Sequence, residues 1–396
     1  MQAVLIDVTR LLGRLLKGRL PTGVDRVGLA YVQHYQQHSR AVIRLVERNF
    51  VLPKAESAQL FQWLLAPHGR FNALTIVIKG LLFGWNTQRV AGSFLINAGH
   101  SGMEKATYPS MLKRQQVRPL FVVHDLIPIS YPEYCRAGER ARHITRMSNA
   151  LTAASGIIAN SLATLNELTS FAASTGQAMP PSVVALLAPG MLGIFPGERP
   201  VVTPYFVMLS TIEPRKNHWM LLQIWLGLVE RFGQAAPRLV VIGQRGWDCE
   251  NVVDLLERCE QLKGFVIELH ACSDAELVTY LHHAQALLFP SFAEGYGMPL
   301  VEALALGVPV IASDLPVFKE IAGSIPEYVD PMDGKRWSEL IFEYANPDSQ
   351  LRDAQLKRMA DFHVPTWTAH FATVDGFLDT LKPEIAVNRV RSEAKL

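Results

Sequence analysis

The chain has 396 residues, 49% of them apolar and 19% charged. That is too long for one hydrophobic core, since single cores stop growing at roughly 250–300 residues, and too apolar for disorder. The 38 Lys and Arg nearly balance the 36 Asp and Glu, leaving a net charge of +2, which excludes a global basic footprint for nucleic acid.

Residues 1–7 read as a first strand and not as a signal peptide, which needs a basic start, an apolar stretch and a cleavage site. Short apolar runs rich in Val and Ile follow at 3–8, 41–46, 93–98, 120–124, 156–160 and 183–188. Their continuous apolarity predicts buried parallel strands, and the helical periods between them, at 28–37 and 140–154, predict an α/β domain over residues 1–190. Within it, 10–19 combines leucines with Arg10, Arg14, Lys17 and Arg19. This segment suits either peripheral contact with an anionic membrane or a solvated loop with packed leucines. The apolar stretch 73–85, broken by Lys79, is shorter than the roughly 20 residues that span a bilayer, so no transmembrane helix is expected.

After a linker at 190–203 the pattern restarts at 205–210, 239–243, 266–270, 286–290, 309–313 and 328–330. A second Rossmann-like domain is expected over 203–365, then a helix at 366–382 that crosses back to the first domain and a mobile basic tail at 383–396. Cys135, Cys249, Cys259 and Cys272 lack CxxC spacing and framework density, so they read as reduced thiols of a cytoplasmic protein, with no zinc site.

Ligand edges of such domains lie at the strand C-termini, and the informative motifs fall there. No GxGxxG follows the first strand, which argues against a nicotinamide dehydrogenase. In Phe289-Pro-Ser-Phe-Ala-Glu294-Gly-Tyr-Gly-Met-Pro-Leu-Val-Glu302 a strand runs through a glycine loop into a helix started by Pro299. Two carboxylates eight apart on one helix would point about 80° apart, so Glu294 belongs in the loop and Glu302 in the first turns. The amides of Gly295, Tyr296, Gly297 and Met298 then form a helix N-terminus suited to a diphosphate.

This segment, with Gly-Val-Pro-Val-Ile-Ala-Ser downstream, resembles the retaining glycosyltransferase family 4. The resemblance implies a GT-B fold: two Rossmann-like domains facing each other across a cleft, with a nucleotide-sugar donor and a glycan or polyprenyl-linked saccharide acceptor. It implies that Glu294 touches the donor sugar, Glu302 the ribose, and the amides after Glu294 the sugar and phosphate. Ser210-Thr211-Ile-Glu213-Pro-Arg215-Lys216-Asn217 resembles the family's donor loop, although Thr211 stands where an Arg is frequent. Lys216, with Arg215 beside it, is then expected to stabilise the leaving diphosphate. His124-Asp125 resembles the pair that orients the donor sugar. Gly23, in Pro21-Thr-Gly-Val-Asp-Arg26, and His100 are assigned to the acceptor side, and Gly243 to the edge near the nucleotide base.

No Asp-x-Asp triplet occurs in the chain, so a metal-independent reaction without a cofactor is expected, with fixed cations and amides carrying the leaving-group charge. The resemblance also implies retention of anomeric configuration. The wording around His124 and Lys216 is similar to bacterial mannosyltransferases of surface-polysaccharide assembly, which favours GDP-mannose over UDP-sugars. A GT-B epimerase or phosphorylase, or a non-catalytic nucleotide-sugar or glycan-binding protein, remains an alternative.

Overall fold

In a computed structural model of the chain, residues 4–19, 21–45, 48–67, 90–190 and 195–381 are described. The apolar stretch 73–85 and the tail 383–396 lie outside them. The first sheet is built from β1 (Val4–Asp7), β2 (Ser39–Leu45), β3 (Arg48–Val51), β4 (Phe94–Asn97), β5 (Arg118–Val123), β6 (Gly156–Ala159) and β7 (Ser182–Val184), in the order β3-β2-β1-β4-β5-β6-β7. The second contains β8 (Tyr205–Leu209), β9 (Arg238–Ile242), β10 (Val266–Leu269), β11 (Leu287–Phe289), β12 (Val310–Ser313) and β13 (Glu327–Val329), in the order β10-β9-β8-β11-β12-β13. In each sheet the strand order reverses beside the first strand, which opens a crevice at the carboxyl edge.

Every described pair is parallel except β2 with β3. Helices cover both faces of a parallel sheet, so its central strands must be apolar throughout. The buried runs Val4–Ile6 and Phe94–Ile96 meet that demand before each strand ends on a buried polar residue, Asp7 or Asn97, at its carboxyl edge; each fully buried aliphatic side chain contributes about 1.5–3 kcal/mol. The short β3, half polar, has no such apolar run and escapes the sequence pattern because it is an antiparallel edge.

One core cluster covers one face of each sheet and includes residues from both domains. The remaining faces have their own clusters. The helix Trp367–Thr380, opened by Thr366 accepting from the Ala369 amide, returns to the first domain. There the Tyr35 hydroxyl donates to Asp375 at 2.6 Å, and the Phe371 ring stacks on His34 with centroids 4.0 Å apart. Gly156 leaves room for this helix, because a Cβ there would lie 2.8 Å from Leu381 and Phe377. Among the described residues no helix is long and apolar enough to cross a membrane.

Candidate active site at the domain interface

The loop after β11 leads into the helix Met298–Ala305, which places Glu294 in the loop and Glu302 on the helix. Gly297 caps the helix with φ at 115°, and its carbonyl accepts from the Leu300 and Val301 amides; since Pro299 has no N–H, the first-turn amide left to other partners is that of Met298. Both glycines have a steric reason. A Cβ on Gly297 would lie 2.7 Å from the Phe318 ring, and one on Gly295 would lie 2.1 Å from the His124 carbonyl oxygen of the first domain. The first domain also grips this loop by hydrogen bonds. Ser161 and Thr164 hydroxyls each donate to the Gly295 carbonyl at 3.0 Å, and the buried Tyr296 hydroxyl donates to the Leu187 carbonyl at 2.6 Å.

Glu294 meets the donor loop through charge. After β8 the chain makes a short 3-10 turn, Pro214–Lys216, and Asn217, at φ 62°, redirects it into the helix His218–Phe232. Lys216 Nζ donates to Glu294 Oε1, and Arg215 Nη1 lies 2.8 Å from Oε2. Arg215 also donates to the Ala293 carbonyl and to Glu213 Oε1, both at 2.6 Å. Burial pushes the Glu294 carboxyl up, but Arg215 and then Lys216 outweigh it and bring the pKa to about 2. Burial and the neighbouring Arg215 lower the Lys216 pKa, against the pull of Glu294 and Glu213. Arg215 stays charged because Glu294 and Glu213 more than offset its burial. Two carboxylates thus balance two cations.

Thr211 is exposed at the start of this loop. Gly243 packs against the start of this loop, where a Cβ would lie 1.9 Å from the Ser210 carbonyl oxygen.

Glu302 has a different environment. It is buried, accepts a hydrogen bond from the Gly190 amide, and has Arg26 as its stabilising charge. Burial dominates and raises its pKa to about 7. Arg26 is itself committed to Asp274 across the interface, at 2.6 and 3.2 Å. Sequence reasoning assigned no role to either residue. Their only local signals are the end of the Pro-Thr-Gly-Val-Asp-Arg loop and the position after the Ser273 cap.

The His124 ring lies with Nε2 2.8 Å from the Ala98 carbonyl oxygen, and burial lowers its pKa. Asp125 accepts from the Ile127 amide at 3.2 Å, and its Cβ would lie 2.6 Å from a Cβ on Gly295. His100 sits beside this pair, its ring 5.2 Å from His124 and its Nε2 2.7 Å from the Val122 carbonyl oxygen. Burial, with His124 next, holds its pKa well below the usual range.

Gly23 opens the helix Gly23–Tyr35 behind a capping box of Thr22 and Asp25, with open space where a Cβ would stand. Residues Thr9–Leu15 form a helix despite Gly13. Arg10 and Arg14, read from sequence as surface cations, turn to the buried Asp25 at 2.8 Å each, whereas Lys17 and Arg19 are exposed. The structure therefore brings Thr211, Arg215, Lys216 and Glu294 to one edge and His124, Asp125 and His100 to the facing one, with Glu302 a helix turn away. Among the described residues, no three His, Cys, Asp or Glu side chains converge as a metal-binding group.

The family model described as Glycosyl transferases group 1 matches residues 195–340. The serotype-specific mannosyltransferase WbdA of Escherichia coli is 28% identical over 254 residues, covering 58% of this chain and 31% of its own length. The O-antigen chain mannosyltransferase RfbU of Salmonella typhimurium is 44% identical over 140 residues, 35% of this chain and 37% of its own. The chain thus spans about a third of the length of these curated relatives. In fold it is similar to HepE from Anabaena, solved with UDP (TM-score 0.66, 13% identity, 96% of this chain and 100% of that one). It is also similar to sucrose-phosphate synthase from Thermosynechococcus elongatus (TM-score 0.61, 14% identity, 96% of this chain and 99% of that one). Residues 195–340 thus carry the match to the Glycosyl transferases group 1 model, and the chain as a whole has the GT-B fold of two α/β domains with facing sheet edges.

Proposed function

We propose that the chain transfers a hexose, mannose from GDP-mannose, to a glycan or lipid-linked saccharide in bacterial surface-polysaccharide assembly, with retention and without a metal. The observation that carries this reading is the Glu294 carboxylate held between Arg215 and Lys216 at the edge facing His124 and Asp125. The mannosyltransferase relatives support the choice of sugar.

In this mechanism the donor diphosphate draws Lys216 and Arg215 away from Glu294, and the amides from Gly295 to Met298 take the remaining phosphate charge. Glu294, released, accepts from the sugar hydroxyls as positive charge grows at the anomeric carbon. Glu302 accepts from the ribose, and His124 with Asp125 orients the sugar. A donor phosphate oxygen assists deprotonation of the acceptor hydroxyl; the glycosidic bond forms as the sugar–phosphate bond breaks.

Incubating the full chain with GDP-mannose and a mannoside acceptor tests this. The expected result is an acceptor-dependent α-linked product observed by NMR. A folded protein that transfers from no nucleotide sugar overturns the proposal, and transfer from UDP-sugars alone overturns the assignment of mannose.

A further inference from the structure

A second concavity lies behind the donor loop. It encloses about 590 Å³ and is walled by Trp219, near the start of the His218–Phe232 helix, by Asn251, and by the paired rings of Phe292 and Tyr134. These rings come from different domains and stack with centroids 5.3 Å apart and planes within 6°. A smaller hollow of about 360 Å³ adjoins it and shares Trp219 and Asn251, so the half-exposed Trp219 (46%) stands between two parts of one groove. Lys216, Glu294 and Glu302 line neither part.

The lining selects the chemistry of an occupant. Trp219 and Phe292 offer flat apolar faces, and Gln223, Asp248 and Asn251 offer hydroxyl partners at the rim. Among the described residues no Lys or Arg lines the larger hollow, where Glu213 is already paired with Arg215 and Asp248 is exposed; Arg258 in the adjoining part is paired with Asp254, so the groove offers phosphate and anionic headgroups no unpaired cation. His218 borders the hollow at 3% exposed, and burial, with Lys216 next, brings its pKa to about 3, so this wall is uncharged.

We propose that this groove is a subsite for a neutral oligosaccharide, holding a part of the glycan distant from the reacting end, with Trp219 stacked on a sugar ring and the Gln223 and Asn251 amides bonded to its hydroxyls. The inference deepens the transfer reading above and rests on it for the kind of glycan. A subsite of this kind makes transfer favour longer acceptors, because binding energy collected far from the reacting hydroxyl holds it in place.

Isothermal titration of the full chain with a linear α-linked mannotriose, and separately with GDP, tests it. The wild type should bind the trisaccharide. Trp219→Ala should weaken that binding about tenfold or more, Trp219→Phe should restore most of it, and both variants should bind GDP normally, which also reports their folding. A wild type that binds GDP but gives no heat with the trisaccharide overturns the subsite. So does a Trp219→Ala variant with unchanged trisaccharide affinity, or Trp219-dependent capture by neutral phosphatidylcholine vesicles in its place. Trp219-dependent trisaccharide binding without GDP binding upholds the subsite and removes the donor reading instead.

Discussion

Glu294 and Glu302 share a residue type, a motif and near-complete burial, yet they hold their protons at opposite ends of the carboxylate range, about 2 and about 7. Burial raises both. Glu294 is overruled because Arg215 and Lys216 touch its two oxygens, whereas the Arg26 beside Glu302 is already paired with Asp274. Desolvation sets the penalty, and the distance and prior commitment of the nearest cation decide whether it is cancelled. Glu294 is therefore a fixed charge at every physiological pH, and Glu302 is a group that titrates.

The largest test of this contrast is catalytic. Glu294→Gln removes the carboxylate expected to tighten on the charged sugar, so kcat should fall by about 10²–10³ with little change in nucleotide affinity. Steady-state kinetics beside titration with GDP reads both quantities; a variant that loses nucleotide binding and keeps kcat reverses the two roles.

Stability separates the pair next. The Glu302 carboxyl ionises near 4.5 when unfolded and near 7 when folded, so its favourable contribution is complete below pH 4.5 and lost as pH rises through 7. Glu302→Gln should accordingly be more stable than the wild type at pH 8, by at most about 3 kcal/mol, and gain nothing at pH 4. Urea unfolding at both values checks this. Glu294 has the opposite sign: its contribution is present above pH 4.5 and is lost only as pH falls through about 2.

Nucleotide affinity should show the same titration. Ionised Glu302 accepts from ribose hydroxyls better than its protonated form, so GDP binding should tighten from pH 6 to pH 8. At pH 8, Glu302→Gln should bind about tenfold more weakly, with the Glu302-dependent slope gone. A wild-type profile that matches the variant's would remove Glu302 from the nucleotide site.

Smaller effects belong to the interface. The Arg26–Asp274 pair is partly exposed at 32% and 44%, so Asp274→Ala should cost under about 1 kcal/mol in unfolding experiments. It also frees Arg26 and removes a like charge near Glu302, which should shift the pH dependence of GDP binding downward. The smallest expected effect is that of EDTA, which should leave turnover unchanged; loss of activity restored by Mn²⁺ would move leaving-group stabilisation from Lys216 and Arg215 to a metal.

Much of this arrangement is local and therefore legible in one dimension. Burial on both faces of a parallel sheet demands apolar runs, so twelve of the thirteen described strands, all but β3, fall on runs read from the sequence. Glycines, Pro299 and the eight-residue spacing likewise place Glu294 in a loop and Glu302 on a helix. What the tertiary structure decided is which charges meet. Arg26 and Asp274 are 248 positions apart, and no periodicity links them. Arg10 and Arg14 read as surface cations until Asp25 is buried beneath them, and the close approach of the Ser210 carbonyl to Gly243 is written in neither segment alone. The proton on Glu302 likewise follows from depth and from a cation held by a third residue. Local spacing determines which face of an element is buried; electrostatics and close approach depend on distances that exist only once the two domains are packed together.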